Sequence, residues 1–156
     1  MIAPIRSWAT PIALALLAIV LSGCSTSDLP SPKKTVIALF GAMEKNDQAA
    51  LMYLLDMPEL MRHVNEDYAL SADTPRVFTS PQQILDDLTH EGKTKRTWFS
   101  LQRIISKTEI TSETTATVDV TFVNKEKSVA YLTKFGLHFV NGRWQIYSFK
   151  TVQGSK

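Results

Sequence analysis

Near residue 100 the apolar residues of this chain change their spacing, and that change limits the folds open to it. Before it they recur every three or four positions: Val36, Phe40 and Met43 with Ile37 and Leu39 alongside, then Ala50, Leu51, Leu54 and Leu55. Leu60, Met61, Val64 and Tyr68 follow the same spacing, as do Ile84, Leu85 and Leu88. Such spacing lines one face of a helix. After residue 100 the period falls to two. Ala116, Val118, Val120 and Phe122 alternate with Thr117, Asp119 and Thr121, and Tyr131, Phe135, Leu137 and Phe139 share one parity. Helices first and an antiparallel meander afterwards predict an α+β fold, with helices against one face of a sheet.

Local signals place the boundaries. Ser31-Pro32 is an N-cap followed by proline in the first helical turn, and Ser80-Pro81 repeats it. Asn46-Asp47 caps a second helix and Pro58 opens a third; Gly41 reads as a point of close packing in the first. Residues 71–79 read as a loop with a short strand at 76–79, and the fourth helix ends near Gly92, with His90 at its C-terminus. Lys93-Thr94-Lys95-Arg96 reads as a solvated basic loop, with contact to an anionic surface as the alternative. Strands are predicted at 97–106, 115–123, 129–140 and 143–152. The adjacent Trp98 and Phe99 imply that the first is covered on both faces. Asn124 to Lys127 makes one turn, and Asn141-Gly142 is a strong two-residue hairpin signal. Gly136 marks a bulge or bend that lets the sheet curl around its helices.

The start of the chain carries an address. Arg6 precedes a short run of Ala, Leu, Ile and Val ending at Leu21, and Ser22, Gly23 and Cys24 follow. A basic start, a short apolar core and small residues make a secretory signal peptide, and the run is short of the ~20 apolar residues that a spanning helix needs. Leu21-Ser22-Gly23-Cys24 resembles the lipobox of bacterial lipoproteins, and Cys24 is the only cysteine. The resemblance implies a diacylglyceryl thioether on Cys24, cleavage before it, and acylation of the freed amine by a chain such as palmitate. More than one acyl chain gives stable membrane anchoring. Ser25, where an aspartate would imply inner-membrane retention, implies the periplasmic face of the outer membrane in a Gram-negative host. The expected organisation is therefore a leader at 1–23, a lipidated Cys24 with a tether through residue 31, and one domain at 32–153. Seven tether residues reach roughly 23 Å at full stretch.

Composition narrows the partners. The 156 residues carry 17 Lys and Arg against 15 Asp and Glu; removing 1–23 takes away only Arg6, leaving 16 against 15 and a net charge of +1. A nucleic-acid partner would need a concentrated basic face, so none is expected. With Cys24 lipidated the domain has no thiol to form a disulfide, and its stability rests on the core. The three histidines, His63, His90 and His138, show no metal-ligand spacing, and no glycine-rich phosphate loop occurs, so neither metal nor cofactor is expected. His63 and Asp67 stand four apart on the third helix, an exposed ion pair rather than a dyad. On the strands Tyr131, Thr133 and Ser148 are assigned inward, and Asp119, Lys134 and His138 outward. No residue is assigned a catalytic role.

Two stretches, "VIALFGAMEKNDQAALMYLLD" from Val36 to Asp56 and "ATVDVTFVNKEKSVAYLTKFGLHFVNGRWQIYSF" from Ala116 to Phe149, together resemble the nuclear transport factor 2-like superfamily, also called SnoaL-like or cystatin-like. They cover a little over a third of the chain. The resemblance implies a cone, a strongly curved sheet around helices, with an apolar pocket at its open end. It also implies a possible homodimer through the outer sheet face. Members include isomerases, dehydratases and cyclases as well as binding and assembly domains, and fold alone does not select among them. The superfamily's catalytic patterns do not map onto this chain. Candidate pocket-lining residues are Phe40, Trp98, Tyr131, Phe135 and Trp144. The residues favour a non-catalytic domain binding a small apolar ligand or an envelope protein. The alternatives are an enzyme with an unrecognised acid–base residue in the cone, and an assembly factor docking through the outer sheet face.

Overall fold

The computed structural model describes residues 31–67 and 78–153, with side chains for 31–63 and 78–151. Helices α1 (Pro32–Lys45), α2 (Gln48–Leu54), α3 (Met57–Asp67), α4 (Pro81–Leu88) and α5 (Lys93–Phe99) precede strands β1 (Gln102–Ser112), β2 (Thr115–Asn124), β3 (Val129–Val140) and β4 (Arg143–Gln153). The expected leader at 1–23, the residues Leu21, Ser22, Gly23 and Cys24 that resemble a lipobox, and Tyr68 lie outside the described residues, as does most of the expected loop at 71–79. No helix among the described residues is long and apolar enough to cross a membrane.

The caps act as their chemistry requires. Ser31 Oγ accepts from Lys34 N at 3.2 Å, and Ser80 Oγ from Gln83 N at 3.4 Å, each with proline in the first turn. Asp47 Oδ1 accepts from Ala50 N at 2.9 Å, and Asp56 Oδ1 from Glu59 N at 3.1 Å. Each bond satisfies an N–H that the first helical turn leaves unpaired. Asn46, in the left-handed region at φ 57°, ends α1.

The chain departs from expectation between residues 87 and 101. Trp98 and Phe99 end helix α5 rather than opening a strand, and β1 starts only at Gln102. The cause is Asp87, whose Oδ1 accepts from Lys93 N at 3.0 Å and Thr94 N at 3.3 Å. A carboxylate from α4 thus starts the helix that a local reading leaves as a basic loop. Gly92 is the N-cap of α5 rather than the end of α4, and His90 lies beyond α4 at φ 47°. Gly41 is not a close contact: a Cβ there would meet nothing within 4 Å beyond its own helix. Phe78 and Thr79 belong to no strand.

The four strands form one antiparallel meander in the order β1-β2-β3-β4. Ala116, Val118, Val120 and Phe122 of β2 all point into the core. Asn141 at φ 51° and Gly142 at φ 78° make the tight turn that pairs Val140 with Arg143. Gly136 sits at the expected irregularity, and the extra residue is on β4. Gly136 pairs with Ser148 and Leu137 with Ile146, so Tyr147 is unpaired. That insertion turns Ser148 to the outer face, against its inward assignment: a Cβ on Gly136 would lie 2.4 Å from Ser148 Oγ and 2.9 Å from the Tyr147 ring. Phe139 keeps its inward parity but is 36% exposed at the hairpin end.

Helix α1 touches β1, β2 and β4. One helix can reach both outer strands of a four-stranded sheet only if the sheet curls around it. Beyond β4, Leu55 forms a parallel bridge to Ile146, and Asp56 N donates to Ile146 O at 2.9 Å, covering part of that edge. The β1 edge is different. It has register breaks between Ile105 and Thr108 and between Ile110 and Ser112, is exposed from Ser106 onward, and carries a Lys107–Glu109 ion pair at 2.8 Å.

Candidate functional site

The inner sheet face ends in a cluster of aromatic rings. Phe40 comes from α1, Trp98 from α5, Phe122 from β2, Phe135 from β3 and Phe149 from β4. Trp98 stacks on Phe122 at 5.3 Å between ring centroids and meets Phe149, Phe135 and Phe40 at 5.7, 5.6 and 5.8 Å at steep angles. Phe135 and Phe149, paired across β3 and β4, are 5.2 Å apart. Stacked and edge-to-face contacts of this kind add about 0.5–1.5 kcal/mol per pair beyond burial.

A polar rim borders this cluster. Arg103 pairs with Phe122, and Phe122 with Tyr131, so the three form one row across β1, β2 and β3. The Arg103 guanidinium lies 3.9 Å from the Phe99 centroid and 5.0 Å from that of Phe40. Burial lowers its pKa from the ordinary arginine value, and the nearby negative charge of Glu44 partly offsets this. Arg103 Nη1 and Trp98 Nε1 are both buried, and neither has a hydrogen-bond partner. Trp98 as a whole is 3% exposed.

Of the expected pocket residues, Phe40, Trp98 and Phe135 meet in the cluster, and half-buried Tyr131 packs at its rim. Trp144 lies at the hairpin end, 5.3 Å from Phe139. Arg103 escaped the sequence reading because the strand start was misplaced. Its signal was nonetheless present: Leu101, Arg103 and Ile105 share one parity, and both apolar neighbours pack on the core.

Acid–base groups gather on the opposite face. Among the described residues of the strands, the inner face carries no carboxylate or imidazole; its buried polar residue Thr133 shares a hydrogen bond with Thr151 at 3.1 Å. On the outer face Lys134 Nζ lies 3.8 Å from Asp119 Oδ1. His138, read as a surface residue, is only 22% exposed there, and its Nε2 stands 2.8 Å from Oδ2 of Asp56, itself 19% exposed. The Tyr147 ring lies between His138 at 5.2 Å and His63 at 5.8 Å. The Asp67 side chain, once paired with His63 by spacing, is outside the described ones. His90 Nδ1 is 3.2 Å from Thr89 Oγ1. No group of three or more His, Cys, Asp or Glu among the described residues is placed to hold a metal ion.

The chain matches no protein-family model and no curated protein. Solved structures similar to it include an NTF2-like protein of unknown function from Shewanella baltica OS155, at 12% identity over 80% of this chain and 91% of that one, with a TM-score of 0.48. A ketosteroid isomerase-like protein from Erwinia carotovora atroseptica SCRI1043 is 19% identical over 84% of this chain and 99% of that one, at 0.46. A second NTF2-like protein of unknown function, from Shewanella oneidensis MR-1, is 14% identical over 78% and 98%, at 0.46.

Proposed function

We propose that this protein is a lipid-anchored cell-envelope domain that binds a small apolar ligand at the aromatic end of its curled sheet, without catalysing a reaction on it. In this reading residues 1–23 are a leader that is removed, Cys24 carries the lipid, and residues 32–153 form a nuclear transport factor 2-like domain. One observation carries the ligand assignment. The inner face joins five rings to a rim of Arg103 and Tyr131, with no carboxylate or imidazole among its described strand residues. Apolar walls with a few placed polar groups suit small-molecule recognition. General acid–base catalysis there would fall to Tyr131 without a carboxylate or imidazole among the described strand residues of that face to tune it.

The enzyme alternative has one observation in its favour, the 2.8 Å approach of His138 and Asp56. That pair lies across the sheet from the rings, so a substrate in the cone would not meet it. Docking through the outer face is less well supported, because Thr117, Asp119, Thr121, Lys134 and His138 make that face polar.

Two measurements test the proposal. Protein bearing Cys24→Ser, purified from its native host, should release a co-purifying small molecule detectable by mass spectrometry; recovery of none counts against ligand binding. Cys24→Ala should accumulate as unlipidated precursor, and normal processing of that variant removes the anchor from the account.

A further inference from the structure

The two buried donors at the rim name part of the ligand. A buried N–H without an acceptor is costly, and more so in a charged group, so native proteins seldom leave one. Here two occur around the same ring. The Arg103 guanidinium and the Trp98 ring both lie within 6 Å of the Phe40 centroid, and both border Phe122, one as its cross-strand partner and one stacked on it. Aromatic faces return only part of what a hydrogen bond supplies to an N–H. No carboxylate among the described residues comes within ion-pair distance of Arg103; Glu44 acts on it only through space. One end of the half-buried guanidinium, Nη1, is therefore held out of water without an acceptor, an arrangement completed by an anion from outside the chain.

Building on the ligand-binding role proposed above, we infer that the ligand is a small carboxylate with an apolar body. Its carboxylate accepts from Arg103 and from Trp98 Nε1, and its body lies against Phe40, Phe99 and Tyr131. A planar guanidinium takes both oxygens of a carboxylate at once, which a lysine in its place would not do.

The test uses the full chain bearing Cys24→Ser, with 1-naphthylacetate and its uncharged amide as probes in isothermal titration calorimetry. The acid should bind at least about tenfold tighter than the amide, since a hydrogen bond to a charged group contributes about 1.5–3 kcal/mol. Arg103→Gln should abolish that preference, lowering acid affinity at least about tenfold. Arg103→Lys should retain part of it, and Trp98→Phe, which deletes the donor and leaves a smaller aromatic ring, should reduce it by about threefold. Circular dichroism confirms that each variant is folded. Equal affinity for acid and amide, or a preference that survives Arg103→Gln, overturns the carboxylate assignment alone. Binding of neither probe overturns it together with the ligand role on which it rests.

Discussion

The two faces of the one sheet are built from the same strands and share little chemistry. Inward, Phe122, Phe135 and Phe149 are almost wholly buried beneath the helices. Outward, the next residues along include Thr121, Lys134 and Lys150, and the contacts there are ion pairs and half-wet rings. Alternation alone accounts for most of this, because successive side chains on a strand point to opposite sides. It fails at one place. The extra residue Tyr147 carries an aromatic ring to the polar face, over the bare backbone of Gly136 and between two histidines. Position on a strand therefore assigns a face only up to the first bulge.

The contrast between the faces can be tested by its energies. Phe135→Ala, which leaves a cavity among the rings, should cost about 3–5 kcal/mol in urea unfolding. Thr121→Ala on the outer face should stay within about 0.5 kcal/mol. Equal costs would mean that the ring cluster is not the core. Next in size is the bulge. Gly136→Ala places a methyl group 2.4 Å from Ser148 Oγ and 2.9 Å from the Tyr147 ring, and overpacking of this kind costs about 1–3 kcal/mol. Part of that loss should return in Gly136→Ala with Tyr147→Ala, a non-additivity measurable by a double-mutant cycle. The smallest effect concerns Asp56, which caps α3 and faces His138. Asp56→Ala should cost about 1 kcal/mol for the cap alone, and His138→Ala less, since even a charged pair at partly exposed positions is worth at most about 1 kcal/mol. If His138→Ala proves the costlier change, the imidazole has a role beyond pairing.

Legibility followed the range of the forces involved. The starts of α1, α2 and α4 were readable because Ser31, Asp47 and Ser80 bond to amides three residues on, within the window that a sequence pattern samples. Strands β2 and β3 and the Asn141-Gly142 turn were readable for the same reason. Helix α5 was not. Its cap, Asp87, lies six residues before Lys93, on the preceding helix, and the aromatic pair Trp98-Phe99 has strand propensity that this contact overrides. That error hid Arg103, because a strand started five residues early says nothing reliable about which side chains face inward. Phe40, Trp98 and Phe135, expected from the sequence to line a pocket with Tyr131 and Trp144, lie together in the ring cluster, but Arg103 in the polar rim beside them was missed.

The uneven finish of the two sheet margins has a consequence for how copies of the chain coexist. On the β4 side Leu55 and Asp56 already occupy the ladder position at Ile146 that a newcomer would need. On the β1 side two interruptions of the backbone rhythm and an opposed pair of charges leave no straight run of amides and carbonyls to copy. Pairing of one copy with another through either margin thus meets an interrupted template rather than a continuous one.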